Sequence, residues 1–300
     1  MDTKTVLGIT IRRFRENAKR SQEQIAERAG ITYQYLSGLE NGRENFSIGV
    51  LESLAAALGT NVPDLVSSAY GKNISAEDYP KVERKFLRSV PLPRGLTLDH
   101  IADSLNETQR IVQLLNVSLI DAGGRALPAY IQKNNYSGIV SNILTDSFDR
   151  LTSYKHNHDQ EYPDLIGKNI NGGKAQGLEV KSTINIGKGG ESHNGHSGWH
   201  LVACFKVDPE NGAIRFIHAM FADLIGHTRK NSDWNYQGSK VNKKTGSQRT
   251  ETYVTTSVGT TKLRDGSAYL DTDEVKYARW RPTHIGPIPK YSIFHPSSRA

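Results

Sequence analysis

SQEQIAERAGITYQYLSGLENG, residues 21–42, decides the fold of the first part of the chain. Ser21-Gln22-Glu23-Gln24 is a capping-box pattern, in which a serine hydroxyl and a glutamine three residues on satisfy each other's backbone amides. It predicts a short helix with Ile25, Ala26 and Ala29 on its inner face and Gly30 as its stop. Thr32 then caps a second helix that turns Leu36 and Leu39 inward. Glu40-Asn41-Gly42 ends it.

The flanks continue the pattern. Leu7, Ile11, Phe14 and Ala18 fall at helical spacing. Ser47 caps a fourth helix, expected to bury Ile48, Leu51, Leu54, Ala55 and Leu58 and to stop at Gly59. Pro63 suits the first turn of a short fifth helix. The short Ala29-Gly30-Ile31 connection is helix-turn-helix geometry. Over residues 5–66 the chain resembles the Cro/C1-type (XRE) DNA-binding domains. The resemblance rests on Arg12 with Ser21-Gln22-Glu23, on Ala29-Gly30-Ile31, on Tyr35-Leu36-Ser37 and on Leu39-Glu40-Asn41-Gly42. It implies that the third helix enters the major groove with Tyr33, Gln34 and Ser37 as base readers. Glutamine can pair bidentately with adenine. Gln22, at a helix start, is placed to touch phosphate, and Arg43 joins the DNA contacts. Gly38 inside the reading helix costs about 1 kcal/mol relative to alanine, unless the backbone needs a close approach there. A five-helix protein-interaction module is the alternative.

The 300 residues suggest two domains at roughly 100–200 residues each. Apolar residues make up 36% and charged residues 23%, enough for a buried core. The longest apolar runs, such as Leu201–Phe205, are far below the roughly 18 residues that span a bilayer. The N-terminus carries no signal-peptide pattern, and a cytoplasmic, bacterial-type protein is expected. Cys204 alone gives neither a disulfide framework nor a cysteine zinc site. Residues 1–70 and 71–226 are each net neutral, so the whole excess of +7 lies in 227–300. A clustered basic region suits a polyanion partner, or is simply a soluble basic surface. The expected architecture is multi-domain: a helix-turn-helix bundle over 1–70, a linker over 71–100 with one charged helical piece around Ala76–Arg88, and an α/β domain over 101–300.

Helical periodicity over 103–120 and 138–152 gives way to period two. Gly177–Thr183, Leu201–Val207 and Ala213–Phe221 read as strands, the last two joined by the Asp208–Gly212 turn. Helices followed by strands suggest an α/β domain with a mixed sheet. Pro163-Asp164 stands fifteen residues before Glu179-Val180-Lys181. In a strand, Glu179 and Lys181 share one face while Val180 points to the core. An aspartate from a neighbouring segment would complete a site for a hard divalent cation. Glu-x-Lys also occurs at Glu83–Lys85 and Glu274–Lys276, but neither lies in an apolar strand after a Pro-Asp. The ensemble, over roughly 100–225, resembles the PD-(D/E)xK nucleases and, among them, the type II restriction endonucleases. That resemblance implies that Asp164 and Glu179 hold Mg2+ and that Lys181 is the catalytic lysine. Asp146, Asp149 and Glu161 remain open as an additional acid. An exposed cross-strand ion pair is the plain alternative.

His193, His196 and His200 lie in a glycine-rich loop. Zinc is disfavoured, because no partnering cysteine or HExxH is present. A loop that contacts DNA through His193 and His196 fits better, with Trp199 in the core. Arg229, Lys230 and Lys240 lie among Asn, Gln and aromatic residues and suit phosphate contact, with Asn231, Asn235 and Gln237 as possible readers. The reading is a sequence-specific, Mg2+-dependent endonuclease for double-stranded DNA. It would act as a homodimer, with a cognate DNA methyltransferase as a partner in the same system. The alternative is a non-catalytic regulator whose C-terminal domain senses a ligand or mediates dimerisation.

Overall fold

Capping chemistry places the first helices where the sequence puts them. The computed structural model describes residues 2–69, 77–158, 162–168, 177–185, 191–193, 195–238 and 252–298. They belong to two compact units, Met1–Ser75 with Ile120–Gly124, and Ala76–Leu119 with Arg125–Ala300. The first unit holds α1 (Thr3–Asn17), α2 (Gln22–Ala29), α3 (Tyr33–Glu40), α4 (Ile48–Ala57) and α5 (Val62–Ala69). The Ser21–Gln24 capping box is complete in both directions, and Thr32 and Ser47 each accept a backbone N–H at 3.2 Å. Gly30 closes α2 in the left-handed region at φ 67°. Ile11, Ile25, Leu36, Leu39, Leu54 and Leu65 form the fully buried centre of the unit. Ile48 departs from the expectation: it is 78% exposed, because it follows the Ser47 cap at the very start of α4 and the buried face begins at Leu51. A Cβ on Gly38 would stand 2.6 Å from Glu44 Cγ, so a close approach does accompany that residue in α3.

In the second unit, residues 77–97 pack against the core instead of forming a free linker. Phe86 and Leu96 are buried, and Val82, Leu87, Val90 and Leu92 pack beside them. The helix expected around Ala76–Arg88 is reduced, over its described residues, to one 3-10 turn at Arg84–Phe86. This stretch carries an apolar residue every few positions, which anchors it as extended chain; Arg88 N–H donates to Ala268 O at 2.9 Å. Then come α6 (Leu98–Asp121) and α7 (Lys133–Leu151), the two helices that the periodicity marked.

The main sheet has six strands in the order β1 (Tyr154–His156), β2 (Leu165–Gly167), β3 (Leu178–Thr183), β5 (Gly198–Val207), β6 (Ile214–Leu224) and β9 (Ser267–Leu270). It is mixed: β3 and β5 are parallel and the other neighbours antiparallel. Asp208–Gly212 makes the β5–β6 turn, with Gly212 N–H donating to Asp208 O at 2.9 Å. A second sheet orders β4 (Glu191–His193), β8 (Thr252–Thr255) and β7 (Trp234–Tyr236). One face of the main sheet puts Val180, Leu201, Ala203 and Phe221 against Leu105, Val140, Leu144 and Phe148 of α6 and α7. The other puts Val202, Cys204 and Met220 with Trp234, with Leu263 of α8 (Ser257–Asp265), and with Phe294. Both faces are covered, so the central strands read as apolar runs and not as an alternation. Among the described residues no helix is long and apolar enough to cross a membrane.

In the first unit, the Glu40 side chain is fully buried. Arg15 donates to both of its oxygens, at 2.6 and 2.8 Å, and Gln22 donates to one at 2.8 Å. Burial opposes its ionisation, but those bonds and the charges of Arg15 and Arg12 outweigh it, and its pKa is lowered. Removing one partner of such a pair leaves the other buried and unpaired. Glu40→Ala is expected to cost on the order of 3 kcal/mol in urea denaturation. A carboxylate with a lowered folded pKa stabilises the fold fully above the ordinary glutamate value and loses that contribution as pH falls through the folded value. The acid limb of the stability–pH curve should therefore flatten in Glu40→Gln.

Candidate active site

The second face of β3 carries Glu179 and Lys181, while Val180 between them is buried in the helix-covered core. Asn157, just after β1, fixes the neighbouring turn. Its side-chain amide donates to Pro163 O at 3.1 Å and its backbone N–H donates to Asp164 O at 2.8 Å. Asp164, at the threshold of β2, then accepts the Val180 N–H on Oδ2 at 2.8 Å. Ser141 of α7 accepts the Ser182 N–H at 2.7 Å and holds β3 from behind. The local fold thus brings Asp164, Glu179 and Lys181 together.

Lys181 Nζ lies 2.8 Å from Glu179 Oε1. Burial and the Glu179 charge push the Asp164 pKa up, with Lys181 and the Val180 amide opposing. Burial works against the Lys181 charge, but Glu179 and Asp164 outweigh it, and its pKa is raised. Two crowded carboxylates repel each other, and a cation between them relieves that. The donors are hard oxygens, the set that magnesium takes together with waters. Among the described residues no group of three or more His, Cys, Asp or Glu gathers to hold a metal ion. The carboxylates that the local fold brings together are those of Asp164 and Glu179.

Around these groups lies an aromatic cluster that the sequence reading largely missed. Tyr162 stacks on His196, with ring centroids 4.2 Å apart, and donates its hydroxyl to Ser197 O at 2.6 Å. Trp234 Nε1 donates to His196 O at 3.1 Å, which fixes the loop. His200 sits beside Glu179 in the β3–β5 register. Its Nδ1 is 2.8 Å from Gly198 O, and burial lowers its pKa to about 4, so the ring is neutral at pH 7. The only sequence signal for Tyr162 was its place directly before Pro163-Asp164.

The other candidates fall as follows. Asp146 pairs with Arg150, and Asp149 accepts the His156 N–H and pairs with Lys168, so both are engaged elsewhere. Glu161 and Lys240 lie outside the described residues. His193 lies on β4, with its side chain outside the description. Glu83 pairs with Lys85, whereas Glu274 pairs with Lys206 and Arg215 and not with Lys276, so both glutamates are engaged. Arg229, Lys230, Asn231, Asn235 and Gln237 are exposed around the start of β7. Trp199 is half-buried against the helix-covered core. In the first unit, Tyr33 and Gln34 are exposed on α3, Ser37 is half-buried and Arg43 is exposed. The Gln22 side-chain amide is taken up by Glu40, which leaves the helix-end amides for an outside partner.

Comparison with known proteins locates the likeness in the first unit. Residues 6–68 match the family model described as a helix-turn-helix domain. An uncharacterized HTH-type transcriptional regulator, y4dJ, of Sinorhizobium fredii is 39% identical over 67 residues, which are 22% of this chain and 87% of that protein. The control protein C.SmaI of Serratia marcescens is 37% identical over 73 residues, 24% of this chain and 87% of its own length. The crystal structure of the clp gene regulator ClgR from Corynebacterium glutamicum shares 35% identity, covering 23% of this chain and 87% of that chain, with a TM-score of 0.22.

Gly177 makes the approach of β3 to the Pro163 turn possible. A Cβ there would lie 2.0 Å from Pro163 Cγ and 2.9 Å from Leu165 O. Gly177→Ala is therefore expected to push Pro163 and, with it, the Asp164 carboxylate. The expected cost is about 1–3 kcal/mol in urea denaturation. A displaced Val180 amide resonance would show that the Asp164 bond has been disturbed.

Proposed function

Because the chain belongs, through residues 6–68, to the helix-turn-helix family of DNA-binding proteins, we propose that its second unit acts on the DNA which the first recognises. The proposed reaction is Mg2+-dependent hydrolysis of phosphodiester bonds in double-stranded DNA, as in a type II restriction endonuclease. The observation that carries it is the meeting of Asp164, just before β2, with Glu179 and Lys181 on one face of β3, joined by the Val180–Asp164 and Lys181–Glu179 contacts.

Asp164 and Glu179 would hold the ion. When bound, magnesium neutralises phosphate charge and lowers the pKa of water. Lys181, freed from Glu179, orients the attacking water and stabilises charge that develops on the phosphate. Neutral His200 and the Tyr162–His196 stack lie beside Glu179 and partly bury its neighbourhood. A lower local dielectric strengthens each of these charge interactions. In the first unit, Tyr33 and Gln34 on α3 read base edges, and the start of α2 meets phosphate. Cutting both strands of a palindrome requires two sites related by a two-fold axis, so the working assembly is a homodimer. A cognate methyltransferase would protect the host's own DNA.

The relatives support a second reading, since one is described as a transcriptional regulator and another as a control protein. There the same first unit binds an operator, and the second unit senses a ligand or mediates dimerisation. Both readings share DNA recognition and part at Glu179.

The test is large unmethylated phage DNA incubated with the protein in Mg2+ and in EDTA. Discrete fragments in Mg2+ alone are expected. Glu179→Ala should lower cleavage on the order of a thousandfold while DNA binding persists. Gln34→Ala should weaken selective binding roughly ten- to a hundredfold, as expected for loss of a bidentate base contact. Cleavage that survives Glu179→Ala sinks the site. Intact DNA with selective binding retained leaves the regulator.

A further inference from the structure

Across β5 from the catalytic carboxylates, the second unit opens a cavity of about 770 Å3. Its size falls in the range of small-molecule sites, roughly 300–1,000 Å3. Trp199 and Phe221 line it on the sheet side, and Lys262, Asp233 and Asp265 line it from the α8 side. Most of its polar groups are already committed. Asp233 accepts Lys262 Nζ at 2.7 Å and the Ile225 N–H at 2.7 Å. Asp265 accepts Ser292 Oγ at 2.6 Å and lies 3.1 Å from His284 Nε2. Asp223 is not committed in this way: among the described residues no hydrogen bond or ion pair engages its carboxylate, although the Lys262 charge acts on it, and it lines the cavity as the cross-strand neighbour of Trp199. In the sheet register, Trp199 stands directly between Leu178 and Asp223. Two strand spacings, about 10 Å, therefore separate Asp223 from the residue beside Glu179. The Tyr162 hydroxyl feels Asp223, Glu179 and Asp164 together.

We infer that this cavity is a nucleobase site: the half-buried Trp199 is an aromatic group in its wall for a base to stack on, and the Asp223 carboxylate accepts two hydrogen bonds from a Watson–Crick edge. A carboxylate only accepts. Guanine is the base whose edge presents two adjacent donors, the ring N–H and the exocyclic amine, so it is the base that fits. Its source is either a nucleotide extruded from the bound duplex or a free guanine nucleotide. Extrusion costs a few kcal/mol of unpairing, and less where the base is already mismatched. The extruded-base form rests on the second unit acting on DNA, as proposed above; the nucleobase chemistry of the pocket does not.

The test has two arms, both on the full chain. In the first, dGMP, dAMP, dCMP and TMP are titrated by saturation-transfer NMR against the wild type, Asp223→Asn and Trp199→Leu. The wild type should prefer dGMP, and Asp223→Asn, a change at an exposed position, should lose at least tenfold in affinity. In the second, the preferred duplex, obtained by selecting bound sequences, is compared with copies carrying one mismatched guanine in Mg2+-free binding. Tighter binding of one mismatched duplex by the wild type, lost in Asp223→Asn, identifies an extruded base. Binding of dGMP with no mismatch effect identifies a free nucleotide. No binding of any nucleotide and no mismatch effect overturns the inference. Binding of dGMP by a protein that cuts no DNA keeps the pocket and removes the nuclease reading.

Discussion

The bond from the Val180 amide to the Asp164 carboxylate joins two stretches of chain that would otherwise be independent. β2 and β3 share only one register pair, Leu165 with Leu178, so backbone pairing alone holds the Pro163 turn weakly. The carboxylate supplies the next rung of the ladder from its side chain. That choice has a consequence for chemistry. The same group that completes the sheet is the one brought up against Glu179, and burial together with Glu179 drives its pKa upward. The Asn157 clasp and the bare Cα of Gly177 serve this bond, one by fixing the turn and the other by letting it come close.

The parts legible in the sequence were those governed by local rules. Capping residues at Ser21, Thr32 and Ser47 gave three helix starts, because a side-chain cap satisfies donors that no neighbour can reach. The alternation of Glu179, Val180 and Lys181 gave the face of β3, since strand geometry alone decides it. Ile48 went wrong for a related reason: periodicity in an apolar helix does not say where the buried stripe begins.

What stayed hidden depended on contacts distant in sequence. β1, β2, β4 and β7 have three residues each, too few for a period to register. Residues 77–97 look like a linker by their prolines, yet their scattered apolar side chains find the core as extended chain. Tyr162 stands next to the Pro163-Asp164 motif without being part of it, and Trp234 reaches the site from a segment with no motif of its own. The two other Glu-x-Lys motifs show the reverse problem: the tripeptide is common, and Glu83 and Glu274 stand in ion pairs outside any strand.

Charge divides the work between the units. The helix-turn-helix region is net neutral over residues 1–70, and its most buried acid is consumed by Arg15 and Gln22. Phosphate attraction grows with the number of cations that release counterions. A neutral reader therefore gains little from the backbone and leans on base edges and helix-end amides. The chain's surplus of +7 lies after residue 226, where Arg229 and Lys230 stand exposed on the unit that carries Asp164, Glu179 and Lys181. The helix-turn-helix and the excess positive charge are thus placed on different parts of one chain. Under the proposed nuclease reading, a carboxylate-lined site would gain most from this arrangement, because its own negative charge repels a phosphate.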